Sequence, residues 1–370
     1  MLTVGKVVRC AAYSIVASMG MLFGPMAQAE DRVVKVYNWS DYIDPEILTD
    51  FTKETGIKVV YDVFDSNEVL ETKLLAGGSG YDVVVPTGTF LSRQIKAGVF
   101  QKLDKSKIPN FANVWPEVYS RVAQYDPDNQ YAMNWMWGTT GIGYNEAKIK
   151  ERMPDAPVNS LDLLFKPEIA AKFKDCGIHV LDSPEDVLPV VLNYLGIDPN
   201  TTKEEDFKKA EDVLMKIRPY VKKFHSSEYI NALANGDICM ALGWSGDILQ
   251  AATRANEAKN GQVIKYHIPK EGTQMWFDMM AIPADAKDVE EAHIFLNYLN
   301  RPEVMAKASN YVQYANGNLA SQKDVDESVL KNPAVYPDPE TFKKLYVKTT
   351  WDSKTQRIVT RMWTKITTGQ

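Results

Sequence analysis

From Val33 onward the chain alternates short apolar runs with amphipathic segments, and this alternation limits the folds open to it more than any other feature. Residues 33 to 39 read as a strand. Asp44-Pro45-Glu46 then opens a helix that runs through Glu54 and closes at Gly56, with Ile47, Leu48 and Phe51 as its buried stripe. Residues 57 to 64 form the next strand. Asp65, with Glu68 three residues on, has the spacing of a capping box for a helix ending at Gly77-Gly78, and residues 81 to 86 give a third strand. Strands that are apolar on both faces and alternate with helices specify an α/β protein, with a mostly parallel sheet flanked by helices.

The same grammar returns later, with strands at 177 to 181 and 238 to 244 and a helix at 229 to 234. With the first 29 residues set aside, about 340 remain, more than the ~250 to 300 at which a single core stops growing, so two lobes are expected. No low-complexity tether joins them, which leaves crossings of the chain within the fold. Two turn-rich stretches, 133 to 144 and 267 to 272, fit that part. The expected first lobe is 30 to 135 with 272 to 308, and the second is 136 to 271 with 309 to 370.

The N-terminal stretch has the form of a secretory signal. Lys6 and Arg9 precede a mostly apolar run from 11 to 23 and the small-residue triplet Ala27-Gln28-Ala29, so residues 1 to 29 read as a signal peptide cut after Ala29. Losing Lys6 and Arg9 takes the basic count from 42 to 40 against 48 acidic residues, and the formal charge from -6 to -8. A nucleic-acid partner is not expected of so acidic a chain. Cys10 leaves with the signal, and Cys176 and Cys239 remain as an even pair in an oxidising compartment, where a disulfide is the expected outcome.

Open parallel sheets bind ligands beyond the carboxyl ends of their strands. Those positions hold Trp39-Ser40-Asp41-Tyr42, Thr87-Gly88-Thr89, Asp182-Ser183-Pro184-Glu185 and Trp244-Ser245-Gly246-Asp247. Acidic residues and tryptophans are paired there, with no Lys or Arg, so the set suits a cation. Carboxylates make charge-assisted hydrogen bonds to ammonium groups, and an indole face attracts a cation while covering a methylene chain. A diamine offers charge, apolar spacer and charge in that order. Read singly, Asp247 suits a helix cap, each Trp suits packing, and Glu185 suits the dipole of a helix start. It is the clustering that points to a ligand. The histidines 179, 225, 267 and 293 have no metal-ligand spacing, and no nucleophile elbow, phosphate loop or zinc-protease motif is present. Neither a catalytic residue, a metal nor a cofactor is expected.

Six segments stand out: Val-Tyr-Asn-Trp-Ser-Asp-Tyr-Ile at 36 to 43, Lys-Glu-Thr-Gly-Ile-Lys-Val-Val-Tyr-Asp at 53 to 62, Asp-Ser-Asn-Glu-Val-Leu-Glu at 65 to 71, Gly-Thr-Thr-Gly-Ile-Gly-Tyr-Asn at 138 to 145, Phe-His-Ser-Ser at 224 to 227 and Leu-Ala-Asn-Gly-Asp-Ile-Cys at 233 to 239. In that order they resemble the putrescine-binding proteins of bacterial polyamine importers. The resemblance runs from about Val33 to Arg-Met-Trp-Thr-Lys at 361 to 365. It implies a type II periplasmic binding fold, two α/β lobes closing on a cleft, in a monomer that passes its cargo to the membrane permease of an ABC importer. It also implies that Ser40, Asp247 and Asp278 hold the ammonium groups, that Glu185 and Tyr314 lie nearby, and that Trp39, Trp244 and Trp276 flank the carbon chain. Tyr42 and Thr87 complete the expected set. That family commonly carries Phe and Ser where this chain has Trp276 and Thr87, which reshapes the pocket and bears on the choice among putrescine, spermidine, agmatine and cadaverine. An amine-sensing subunit on the same fold is the alternative reading.

Overall fold

In the computed structural model, which describes residues 32–369, eleven strands join one mixed sheet. The signal-peptide reading of residues 1 to 29, and Cys10 with it, lies outside the described residues. In chain order the strands are β1 (Val33–Trp39), β2 (Lys58–Phe64), β3 (Val83–Val84), β4 (Ala132–Asn145), β5 (Ile178–Val180), β6 (Lys223–Phe224), β7 (Met240–Trp244), β8 (Ile264–His267), β9 (Gln274–Ala281), β10 (Ala315–Asn316) and β11 (Tyr346–Val347). The helices that matter for the site are α1 (Pro45–Thr55), α2 (Asn67–Leu75), α3 (Gly88–Lys96), α4 (Pro184–Tyr194), α5 (Tyr229–Asn235), α6 (Ser245–Glu257) and α7 (Ser353–Thr368).

The sheet runs β2-β1-β3-β9-β4-β7-β5-β6, with β8 and β10 also paired to β4 and β11 to β9. Two parallel triplets, β2-β1-β3 and β6-β5-β7, match the expected grammar. Between them β4 and β9 run antiparallel to each other, and β4 is antiparallel to β7, so the sheet is mixed rather than parallel throughout. Residues 133 to 144 do carry the chain across, from pairing with β9 to pairing with β7, but as most of a continuous, fully buried 14-residue strand and not as a turn-rich stretch. Its glycines lie beneath packed side chains, Gly138 and Gly141 under aromatic rings and Gly143 under Ile248, and do not form turns. The strand reading of 81 to 86 shrinks to two residues: Asp82 uses its carboxylate on the backbone N–H groups of Lys35, Lys287 and Asp288, and Pro86 has no N–H to give.

Asp44 caps α1 as expected, accepting from the Glu46 N–H at 2.9 Å, and Gly56 closes that helix at φ 71°. The cap of α2 is Ser66, whose hydroxyl accepts from Val69, and not Asp65. Asp65 is thereby left free for the cavity described below.

Buried side chains form two cores. The first draws on residues 34–137 and 275–345, the second on 142–266 and 351–366. Residues 309 to 345 do not follow the expected second lobe, because Val312, Tyr314, Val325, Val329 and Leu345 pack in the first core. The reason is local: β10 pairs with the first half of β4, Ala315 opposite Trp137, which returns the chain to that side. From Trp351 onward, through Val359, Met362 and Trp363 of α7, the chain serves the second core.

Cys176 and Cys239 are joined by a disulfide, with 5.4 Å between their Cα atoms and a sequence separation of 63. A bridge closing a loop of this size restrains the unfolded chain, so replacing both cysteines by serine should cost about 2 to 4 kcal/mol. Urea unfolding followed by circular dichroism will measure it. An unchanged midpoint would mean that the bridge is not a stabilising element. Among the described residues no helix is long and apolar enough to cross a membrane.

Candidate functional site

Where the two cores face each other, the carboxyl ends of the parallel strands enclose a cavity of about 610 Å³, counted out to its mouth. All ten anticipated contact residues line it. Trp39, Ser40 and Tyr42 come from the end of β1, Thr87 from the start of α3, Glu185 from α4, Trp244 and Asp247 from the β7–α6 junction, Trp276 and Asp278 from β9, and Tyr314 from the turn into β10. No Lys or Arg is among the lining residues.

Asp278, 5% exposed, accepts from the Tyr42 hydroxyl at 2.8 Å and the Thr87 hydroxyl at 2.7 Å. Asp247, 7% exposed, accepts from the hydroxyls of Tyr229 at 2.6 Å and Tyr314 at 2.8 Å. It lies in the first turn of α6, but its carboxylate caps nothing; its own N–H donates to the Tyr314 oxygen at 3.1 Å. Gly246 makes this possible, since a Cβ there would stand 2.4 Å from the Tyr314 ring. Tyr42 and Tyr314 pack edge to face at 5.4 Å, so an Asp278–Tyr42–Tyr314–Asp247 chain links the two carboxylates.

Hydroxyl donors do not offset burial. Removal from water, aided by the nearby charges of Asp186 and Asp247, pushes Asp278 up to about 7. Burial likewise raises Asp247 to about 6 against the pull of Tyr229 and Tyr314. Among the described residues no Lys or Arg makes an ion pair with either carboxylate, and a cation in the cavity would provide one. Aromatic rings wall the space between: Trp39 meets Trp244 at 5.6 Å, Trp244 meets Trp276 at 6.4 Å, and Trp276 meets Tyr314 at 5.2 Å, all near perpendicular. Trp276 fits because Gly138 stands opposite it across the β4–β9 ladder, where a Cβ would come within 2.8 Å of the indole.

Two anticipated residues have hydrogen-bond partners of their own within the chain. Ser40 lines the cavity, yet its hydroxyl donates to Asp65 at 2.6 Å. Both oxygens of Glu185 are already taken, one by Arg93 Nη1 at 2.8 Å and the other by Lys348 Nζ at 2.9 Å. Burial alone would raise Glu185, but Lys348 and Arg93 together hold it below the usual carboxylate range. Asp182 does not line the cavity; it accepts from the Trp363 indole N–H at 2.7 Å and ties α7 in place.

Sequence reasoning misses several lining residues. Asp186, next to Glu185, is buried and accepts from the hydroxyls of Ser183 and Thr140, and burial raises its pKa against the pull of Ser183, Trp244 and Thr140. Neighbours in a helix's first turn point in different directions, so choosing one of the pair from sequence leaves out the other. Asp65 has the spacing of a cap, which hides its place in the cavity. Asn67, whose amide supports Thr87 at 2.9 and 3.0 Å, and Gln274, on the same strand face as Trp276, carry no motif. Among the described residues no group of three or more His, Cys, Asp or Glu side chains could hold a metal ion.

A pair of α/β cores meeting at a cavity, with the chain crossing between them, is the architecture of the two-lobed solute-binding proteins. The chain belongs to the bacterial extracellular solute-binding protein family, whose model matches residues 46–337, and this is a family of transport receptors rather than enzymes. It is 55% identical over 352 residues to the putrescine-binding periplasmic protein SpuD of Pseudomonas aeruginosa, covering 95% of this chain and 96% of the relative. It is 54% identical to the putrescine-binding periplasmic protein PotF of Escherichia coli, covering 96% of each. Among solved structures, a putative spermidine/putrescine ABC transporter protein from Listeria monocytogenes superposes with a TM-score of 0.81 at 33% identity, covering 90% of this chain and 98% of that one.

Proposed function

We propose that this chain is a periplasmic receptor that captures putrescine, or a close polyamine, and delivers it to the permease of an ABC importer. The observation that carries the reading is the pairing of Asp247 and Asp278, buried and without a basic partner, with a box of Trp39, Trp244 and Trp276. An ammonium group supplies the missing counter-charge, and the indoles cover the methylenes. The relatives' names point to the same ligand class.

The lobes on this reading follow the two cores: 32 to 137 with 275 to 345, and 142 to 266 with 351 to 366. Asp278 belongs to the first and Asp247 to the second, with Tyr314 of the first lobe reaching Asp247. A cation held by both carboxylates binds the closed arrangement more tightly than any open one, and that differential affinity is what closes the cleft.

Calorimetric titration of refolded, ligand-free protein with putrescine, spermidine, cadaverine and agmatine tests the proposal. One-to-one binding is expected, with putrescine tightest. Silence with all four amines would overturn the assignment of cargo, and tighter binding of another amine would show that Trp276 and Thr87 have changed it.

A further inference from the structure

We propose that Gln274 is a further ligand-contact and specificity-determining residue, its side-chain amide receiving the nitrogen at the end of the amine remote from Asp278. The inference rests on the amine-receptor reading and adds to it a neutral contact beside the charged anchors Asp278 and Asp247.

Gln274 opens β9, is 4% exposed and lines the cavity. Its Oε1 is completely buried and accepts no hydrogen bond from any described residue. Buried side-chain oxygens in folded proteins nearly always have a partner, and one that lacks it inside a ligand cavity marks the place where a ligand or its water donates. Residue identity along β9 supports the point. Met275, Phe277 and Met279 are apolar, whereas Gln274, Trp276 and Asp278 alternate with them and all reach the cavity.

Strand geometry spaces these three side chains at roughly 6.8 Å steps, in the order amide, indole, carboxylate. A diamine lying along Trp276 with one ammonium on Asp278 directs its other end toward Gln274. A neutral acceptor suits that place. Asp186 already lines the same cavity, and its charge raises Asp278, so another carboxylate would add repulsion in the empty protein.

The test compares Gln274→Met, of similar shape without the amide, and Gln274→Glu with the parent protein. Each refolded protein is titrated with putrescine and, by competition, with butylamine, which has the same carbon chain and a single nitrogen. Gln274→Met should weaken putrescine about tenfold or more while butylamine stays within twofold, because only the diamine loses a charge-assisted bond. Gln274→Glu should retain putrescine binding. Unchanged putrescine affinity in Gln274→Met would overturn the inference, as would equal losses for both amines, which would mean the cavity had merely repacked. If the parent protein binds no amine, the receptor reading fails and this inference with it, whereas a binding parent with an indifferent Gln274→Met fails the inference alone.

Discussion

Asp278→Asn is expected to weaken putrescine binding a hundredfold or more at pH 8, and at the same pH to make the ligand-free protein more stable than the parent. Both effects come from one buried carboxylate held by two hydroxyls and no cation. The affinity loss follows because an ammonium in a desolvated pocket would be left without its charge partner, which costs about 2 to 5 kcal/mol. The gain in stability follows from linkage. Asp278 titrates at about 7 in the folded chain, above its unfolded value near 4, so its contribution is fully present below pH 4 and is lost as pH rises through 7. Keeping so perturbed a carboxyl ionised at pH 8 costs the folded state about 4 kcal/mol, a penalty that asparagine avoids. Binding of a dication reverses the balance by favouring the ionised form. Titration of the parent protein at pH 7 should therefore release protons, visible as a dependence of the measured heat on the buffer's ionisation enthalpy, and affinity should fall from pH 8 to pH 5. Asp247, at about 6, adds a second step below the first. A parent protein whose affinity is flat over that range, or an Asp278→Asn variant less stable than the parent at pH 8, would refute the electrostatic account.

How much of this can be read from the sequence depends on whether the signal is local. β1, α1 with its Asp44 cap, α5 and the disulfide all lie where periodicity, capping chemistry and cysteine count place them. The central strand β4 does not, because Gly138, Gly141 and Gly143 look like turn residues unless one knows that Trp276, Tyr266 and Ile248 lie over them. The same limit explains residues 309 to 345: their pairing partner, β4, lies about 180 positions earlier in the chain. At the site, the strand-end rule locates Trp39, Tyr42, Thr87, Trp244 and Asp247, while Trp276, Asp278 and Tyr314 enter through family resemblance and line the same cavity. What neither route shows is which polar group is already satisfied. Glu185 is occupied by two cations, Asp186 accepts from the hydroxyls of Ser183 and Thr140, and Gln274 Oε1 has no partner among the described residues, and that difference exists only once distant side chains are brought together.

Glu185→Leu should accordingly act on stability more than on binding. Lys348 is 1% exposed, with Nζ 2.9 Å from the carboxylate and 3.7 Å from the centre of the Trp351 ring, and Arg93 reaches the other oxygen while forking onto Glu71. Arg93 lies on α3 and binds Glu71 of α2, Glu185 opens α4 over the second core, and Lys348 sits in the segment between residues 345 and 351 where the chain passes from one core to the other. The three charges therefore join the lobes at a crossing. Removing the acid paired with this buried lysine leaves a cation without its partner, a defect that costs about 3 to 5 kcal/mol, whereas replacing a whole buried pair by apolar groups is often neutral. Glu185→Leu should lower the urea midpoint steeply, and adding Lys348→Met should recover most of the loss. The pH dependence has the opposite sign to that of Asp278: Glu185 is held below its usual range, so its contribution is present above the unfolded value and disappears as pH falls through the folded one. A ligand role for Glu185 makes a different forecast, in which putrescine affinity collapses in Glu185→Leu and stays low in the double variant. Recovery of both stability and putrescine binding on addition of Lys348→Met would place Glu185 in the frame of the cavity, and persistent loss of binding in a stable double variant would return it to the ligand.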